Sequence, residues 1–408
     1  MTNQTRTYGD LKVTLTSEYE WVWADTGTGA ARAVTFWHPK FQSSEFGGMR
    51  PLGTVVVNHY NDINKKQATL LVGATSDSNP AVKSPTGYTR MWISKAMGGR
   101  YDNSLWRPIP PAGYVSMGDV VFNCTNTTWD QQPSTDKVWC LRADLAKRAV
   151  YSTSSYWDDS HGGGEFDCTV WQIVPEPTIG MGDKNIPITA GTFRGHQSYS
   201  KPDSEHALVP ILPCENEFKR FDASVPKISA AKIPTTGDQY SLSEQCRVIL
   251  PFISFLDMKD ERSLDFIRNP FIELSRTIAW KAEGVWVNGG EGVYSRQKEL
   301  KYGVSKTQSE SMTHSAGVEI SASSGIGCVA FSVSLNYQFT SESSSSFTEY
   351  KESTVTEKFE VPGKNAKVLF SKHIWITAAR ADKGPILKQL ELVANDDVYF
   401  AGCKVDSE

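Results

Sequence analysis

His161, with Asp158 and Asp159 before it and Gly162, Gly163 and Gly164 after it, brings an imidazole and two carboxylates to one glycine-rich bend. Such a loop could hold a metal ion or cradle a phosphate. The context for that chemistry is missing, because the chain has no strand-to-helix glycine fingerprint, HExxH pair or GxSxG elbow, and its seven histidines show no ligand spacing. Glu165 with Asp167, and Asp396 with Asp397, could be cast as paired carboxylates, yet neighbouring acids are ordinary in turns. The sequence therefore predicts no catalytic residue, no cofactor and no metal, and the His161 loop is read as a solvated turn. Asn123-Cys124-Thr125 and Asn126-Thr127-Thr128 fit the glycosylation acceptor pattern, which matters only in a secretory pathway, and are read as loop residues.

A different chemistry, the partition of side chains between lipid and water, is written in residues 312–339. Even positions carry Val318, Ile320 and Ala322 against Glu319 and Ser321. After Gly325 the phase flips, and odd positions carry Val329, Phe331, Val333, Leu335, Tyr337 and Phe339 against Ser332, Ser334 and Asn336. Period two on both sides of a glycine turn predicts a hairpin. A two-residue turn at Gly325-Ile326 pairs residues whose numbers sum to 651, so Ile320 faces Phe331 and Glu319 faces Ser332. One face is apolar and would meet lipid; the other, with Glu319, Ser321, Ser332, Ser334 and Asn336, would line a pore. Each arm has about the 9–11 residues that a tilted strand needs to cross a bilayer core. A half-buried hairpin of a soluble sandwich alternates in the same way and stays open as a reading.

The flanks decide how far the ribbon runs. Residues 298–311 and 340–355 are rich in Ser, Thr, Glu and Lys and contain no proline, and they are read as extending the same register outward. Arms of roughly 27 residues would reach about 90 Å at a rise of ~3.3 Å per residue. A lone hairpin leaves strand edges that lipid cannot satisfy, so a spanning ribbon must close into a barrel with other copies. This pattern, with Phe359-Glu360-Val361-Pro362-Gly363 as the point where the second arm turns back, resembles the aerolysin-type β-pore-forming toxins over about residues 220–408. The resemblance implies a soluble monomer or small oligomer that assembles into a homo-oligomeric pore at a target-cell membrane.

At 408 residues, 39% hydrophobic and 11% aromatic, the chain is long enough for two cored domains. A net charge of -4 gives no footprint for nucleic acid. The longest apolar run, residues 248–256, is too short for a membrane helix and is broken by Pro251. The N-terminus lacks an apolar signal region, so the protein is expected to be made soluble and then released. Seven scattered cysteines without a CxxC pair favour reduced thiols, although Cys124 and Cys140 could pair.

In the first half, tryptophans fourteen residues apart occur three times, as Trp23/Trp37, Trp92/Trp106 and Trp157/Trp171, with a glycine-rich bend inside each interval. Copies one and two continue alike into residues 52–56 and 117–121, whereas copy three shows no matching strand. Three such units predict a threefold β-prism closing on one apolar axis, with a trefoil or a plain sandwich as alternatives. Repetition places the three turns at one end, where Asp25, Arg100 and His161 are the candidate contacts to a surface receptor or glycan.

Residues 105–120 (LWRPIPPAGYVSMGDV) and 140–145 (CLRADL) resemble the vacuolar protein sorting-associated sixty-two family, over about residues 10–215. That resemblance implies a β-rich domain. The expected architecture is thus all-β: a threefold β-prism-like target-binding domain at 1–213, a linker at 214–238, and an elongated aerolysin-like pore-forming domain with a long amphipathic ribbon at 239–408. The expected function is a pore-forming toxin, for which a defence or insecticidal role is suited. The alternative is a non-lytic, lectin-like or adaptor-like binding protein.

Overall fold

The computed structural model describes residues 3–175, 185–214, 223–254, 256–302, 353–380 and 384–405. The described chain is all-β, its helices being single turns. Two compact units form: unit 1 holds the described residues of Met1–Thr178, Lys184–Cys214 and Pro251–Pro270, and unit 2 those of Glu215–Leu250 and Phe271–Glu408. Residues 251–270, which the sequence reading gives to the second domain, fold with the first. Within unit 1, Met258 O accepts from Ala68 N and Arg268 O from Gln4 N, both at 2.8 Å.

Unit 1 contains three equivalent sets of three antiparallel strands, the third of which carries Val150–Tyr151 as a fourth strand on its central one. They are Tyr19–Ala24, Thr35–Pro39 and Val55–Val57; Gly87–Ile93, Asp102–Ile109 and Val120–Cys124; and Trp157–Asp158, Thr169–Val174 and Phe193–His196. Copy three does have its third strand, contrary to the sequence reading. The match is hidden because the step from the second tryptophan to the preceding glycine grows from sixteen residues (Trp37 to Gly53) and twelve (Trp106 to Gly118) to twenty (Trp171 to Gly191). Gly195 stands where the other copies have Val56 and Val121, since it pairs with Val170 as they pair with Phe36 and Leu105. A Cβ there would collide with the Leu105 side chain. Phe193 fills the space instead, 5.2 Å from Phe36 between ring centroids.

The first tryptophans of the three copies meet at the centre of this core. Ring centroids lie 6.2 Å apart for Trp23–Trp92 and Trp23–Trp157 and 5.8 Å for Trp92–Trp157, all edge-to-face, the arrangement that the ring quadrupole favours. Their indole N–H groups, buried and in need of acceptors, are satisfied in rotation. Trp23 Nε1 donates to Tyr101 O in copy two at 2.6 Å, Trp92 Nε1 to Phe166 O in copy three at 2.9 Å, and Trp157 Nε1 to Asp25 Oδ2 in copy one at 2.9 Å.

The family-like signature around Arg107 builds a buried ion cluster within the same unit. Asp119 is wholly buried and accepts from Arg107 Nε and Nη2 at 3.0 Å, Arg194 Nη1 at 2.8 Å and Gly195 N at 2.8 Å. Burial alone would raise the Asp119 pKa, but the two guanidinium groups outweigh it and hold the carboxyl below its usual range. The Pro-Pro-Ala-Gly run is a tight turn, Tyr114 N donating to Pro111 O at 3.0 Å with Gly113 at φ +82. Five described cysteines, Cys124, Cys140, Cys168, Cys214 and Cys403, are free thiols.

Unit 2 is a four-stranded sheet in the order Gln239–Pro251, Phe271–Asn288, Asn365–Arg380, Pro385–Lys404, with a separate two-stranded ribbon, Tyr294–Tyr302 with Ser353–Val361. The chain enters the ribbon from the second sheet strand and returns into the third. Val361-Pro362-Gly363 is the return turn, as the sequence suggests. The ribbon pairs residues whose numbers sum to 655, from Tyr294 with Val361 to Tyr302 with Ser353. The expected register of 651 is therefore wrong by four at the described base.

Candidate functional site

Three loops close unit 1 at one end, each by the same device. The side-chain oxygen at the start of the loop accepts from the backbone N nine residues later: Asp25 from Val34 at 3.0 Å, Ser94 from Asn103 at 2.9 Å, Asp159 from Cys168 at 2.8 Å. The loops also join pairwise. Arg100 N donates to Thr26 O at 3.2 Å, Glu165 N to Lys95 O at 3.1 Å, and Arg32 pairs with Asp158 while its Nη1 donates to Ser155 O at 2.6 Å. At Gly29 the backbones approach so closely that a Cβ would collide with the His161 carbonyl.

This geometry sorts the candidate contact residues. Arg100 and His161 are exposed, and the Arg100 guanidinium sits 5.4 Å over the Tyr101 ring. Asp25 is 2% exposed and does not present a surface. Its carboxylate is consumed by Val34 N, Trp157 Nε1 and Tyr60 Oη, the last donating at 2.9 Å. Asp158 and Asp159 are likewise engaged, so the turn around His161 is held by loop closure. Glu165 pairs with Lys95, and Asp167 bonds Tyr199, so these two acids serve different partners.

Two tyrosines at this end escaped sequence reading. Tyr60 and Tyr199 each stand four residues beyond the third-strand residue that pairs with the central strand, and each bonds the loop-closing aspartate of its own copy. Burial and then Asp25 push the Tyr60 phenol up to about 12. The tryptophans of copies one and three are 134 residues apart and these tyrosines 139, so the longer excursion in copy three hides the correspondence from the repeat spacing. Tyr60, Tyr101, Phe166 and Tyr199 are all exposed here.

The base of the ribbon is the second site. Leu300, Tyr302 and Phe359 are buried although their neighbours along the strands are exposed. Phe359 lies 4.3 Å from Trp286 and 5.1 Å from Phe400 between centroids, and Leu300 and Tyr302 pack with Leu369. Asn288 fastens both crossings between sheet and ribbon, Nδ2 donating to Gly292 O at 2.7 Å and Val361 O at 3.0 Å, while Oδ1 accepts from Gly290 N at 3.1 Å. The insertion-hairpin and pore-lining candidates, all within 318–339, lie outside the described residues.

A charged ladder crosses three strands of the sheet. His373, 4% exposed, has Nδ1 2.6 Å from Glu391 Oε1 and Nε2 2.7 Å from Glu283 Oε1, and Lys281 Nζ donates to Glu391 at 3.0 Å. A carboxylate only accepts, so both ring nitrogens must donate and the imidazole is protonated. Burial opposes the charge, but the two carboxylates prevail and raise the His373 pKa. Hydrogen bonding to His373 holds Glu391 down at about 2. The ladder sits where the pairing slips, between Ala282 and Gly284 on one side and Ser371 and His373 on the other. Sequence reading missed it, since the partners are about ninety residues apart or lie on separate strands.

Among the described residues no helix is long and apolar enough to cross a membrane. The family model described as vacuolar protein sorting-associated protein 62 matches residues 2–234. No curated protein matches the sequence significantly. Among solved structures, GNIP1Aa from Chromobacterium piscinae is similar at 22% identity and a TM-score of 0.37, over 48% of this chain. The chain spans 35% of GNIP1Aa's length. Cry35Ab1 is similar at 9% identity and a TM-score of 0.33, over 97% of this chain and 90% of its own.

Proposed function

The chain belongs to the vacuolar protein sorting-associated protein 62 family, and we propose that it is a pore-forming protein toxin. Unit 1 recognises a target-cell surface through its loop end, and unit 2 oligomerises and contributes a ribbon from each subunit to a transmembrane β-barrel. The observation that carries this reading is the ribbon base. Two strands pair antiparallel, are fastened at their roots by Asn288 and held by Phe359, Leu300 and Tyr302, and enclose residues 303–352, within which the sequence of 312–339 alternates between apolar and polar. No catalysis is assigned. The protein is released as a soluble form and acts at the target membrane.

Continued without a bulge, the base register moves the proposed hairpin turn from Gly325-Ile326 to Gly327-Cys328, again with glycine first. Ile320 then faces Leu335, and Glu319 faces Asn336. Because the offset is even, every side chain keeps its face. Val333→Arg puts a charge towards lipid, at about 2–4 kcal/mol near the midplane, once per subunit. It should leave a folded, oligomer-forming protein that does not conduct. Ser334→Arg faces water, should insert, and should shift selectivity towards anions. Planar-bilayer recordings decide: conduction unaltered in both mutants removes the hairpin from the pore, and wild-type protein that binds cells without any conductance leaves the non-lytic binding reading.

A further inference from the structure

The threefold repeat supplies an internal control for finding a binding site, because a position that serves only the fold should hold similar residues in each copy. Two residues before the central tryptophans, the copies have Trp21, Arg90 and Ser155. Arg90 is ion-paired with Asp130, and Ser155 is bonded by Arg32. Trp21 instead is 37% exposed and walls a cleft of about 150 Å³ where copy one meets copy two. Phe122, Asn123, Glu20 and Lys137 are among the other residues that line it, with the buried His38 beneath.

The cleft is fixed in shape. Asn123 Nδ2 donates across the seam to Val22 O at 3.1 Å, and Trp21 is braced edge-to-face by Tyr101 at 5.4 Å. Below, His38 Nε2 lies 3.2 Å from Lys137 O and Nδ1 3.4 Å from Thr54 Oγ1. A carbonyl only accepts, so Nε2 carries the proton and Nδ1 is the acceptor. Burial first, then Lys137, pushes the His38 pKa down to about 3, so this floor is uncharged. The charges of the site are therefore Glu20 and Lys137, and neither has an ion-pair partner among the described residues.

We propose that this cleft binds one neutral sugar ring of a target-surface glycan. A space of about 150 Å³, that of a cavity that accepts benzene, seats the ring of one monosaccharide with its outer hydroxyls left at the open side. One rim group only accepts and another only donates, a pair that a hydroxylated ligand satisfies without bringing charge. The exposed indole offers a flat apolar wall for the C–H face of the ring. Recognition of a quaternary ammonium uses an aromatic cage, whereas here the exposed Trp21 and the half-buried Phe122 are the benzenoid rings that line the cleft. The proposal rests on unit 1 being the target-binding part, and it needs no pore.

The test is saturation-transfer NMR on the full-length soluble protein with free galactose, mannose, glucose, fucose, N-acetylglucosamine and N-acetylgalactosamine. At least one should bind saturably at about millimolar Kd, as expected for a ligand of this size. Trp21→Ala should abolish the signal and Glu20→Gln should weaken binding about tenfold, while Arg90→Ala at the repeat-equivalent position leaves it unchanged. Near-ultraviolet circular dichroism checks folding, and Glu20→Gln, an exposed change, keeps the test sound should Trp21→Ala misfold. No binding by any of the sugars, binding that survives both cleft variants, or selective binding of choline phosphate at Trp21 would overturn the assignment. Since no membrane is present, these outcomes are independent of whether the protein conducts.

Discussion

Unit 1 and unit 2 solve the same problem, saturating backbone and core, by opposite means. Unit 1 closes on itself: short strands in three copies, a ring of tryptophans each bonded to the next copy, and an ion cluster in which Arg107 and Arg194 share the buried Asp119. Unit 2 stays open. Its strands run to 18, 16 and 20 residues, and the outer strands of its sheet pair on one side only among the described residues. Its internal polar fastening, the His373 ladder, is conditional on protons. A closed repeat keeps its backbone groups to itself, whereas a sheet whose outer strands pair on one side among the described residues keeps some to offer.

The largest test of that contrast is Asp119→Ala, which leaves the buried Arg194 and the half-buried Arg107 without their carboxylate. A loss of about 3–5 kcal/mol is expected in urea unfolding of unit 1. A loss below about 1 kcal/mol would mean that the cluster is not what closes the unit. Next come Trp23→Phe, Trp92→Phe and Trp157→Phe, which keep an aromatic ring and delete one link of the cycle. Each should cost about 1–3 kcal/mol, and the three should be alike. One mutant far out of line would show that the ring is not cyclic in energy.

Proton dependence should separate the units. The folded pKa of His373 is raised, so its stabilisation is full below the unfolded value near 6.5 and is lost as pH rises through the higher folded value. Glu391 is lowered to about 2, so its share is full above its unfolded value near 4.5 and is lost as pH falls towards 2. Unit 2 should therefore be firmest at mildly acidic pH and loosen towards alkaline pH. His373→Gln should flatten the alkaline limb in pH-jump denaturation curves, and an unaltered limb would dismiss the ladder as its cause. The smallest effect is expected from Asn288→Ala, about 1–2 kcal/mol, read as roughly tenfold faster hydrogen exchange at the ribbon root with unit 1 unaffected.

What could be read from sequence follows from how far each constraint reaches along the chain. Tryptophans fourteen residues apart flag the repeat because the two strands and the bend between them are contiguous. The third strand of copy three vanished because it follows a longer excursion. Asp25 looked exposed because a polar residue beside glycines usually is, and the three donors that bury it come from 9, 35 and 132 residues away. At the ribbon's described base the pairing differs by four from the register extended from the hairpin, a shift that period-two alternation cannot detect because it is even. The return of residues 251–270 to unit 1, and the His373 ladder, depend on partners that no local pattern announces.

The direction of the tryptophan bonds has one more consequence. Donation runs from copy one to two, two to three, and three back to one, so the ring has a sense of rotation and no first member. A chain of two copies would strand an indole N–H and an unclosed loop, and a fourth copy would open a hole where three rings now touch edge to face. Copy number is thereby quantised: the gene for this domain could lengthen its loops, as copy three has done, but could not add or drop a repeat by slippage and still encode a folded product. A circular permutant cut between copies, by contrast, would preserve every link of the cycle.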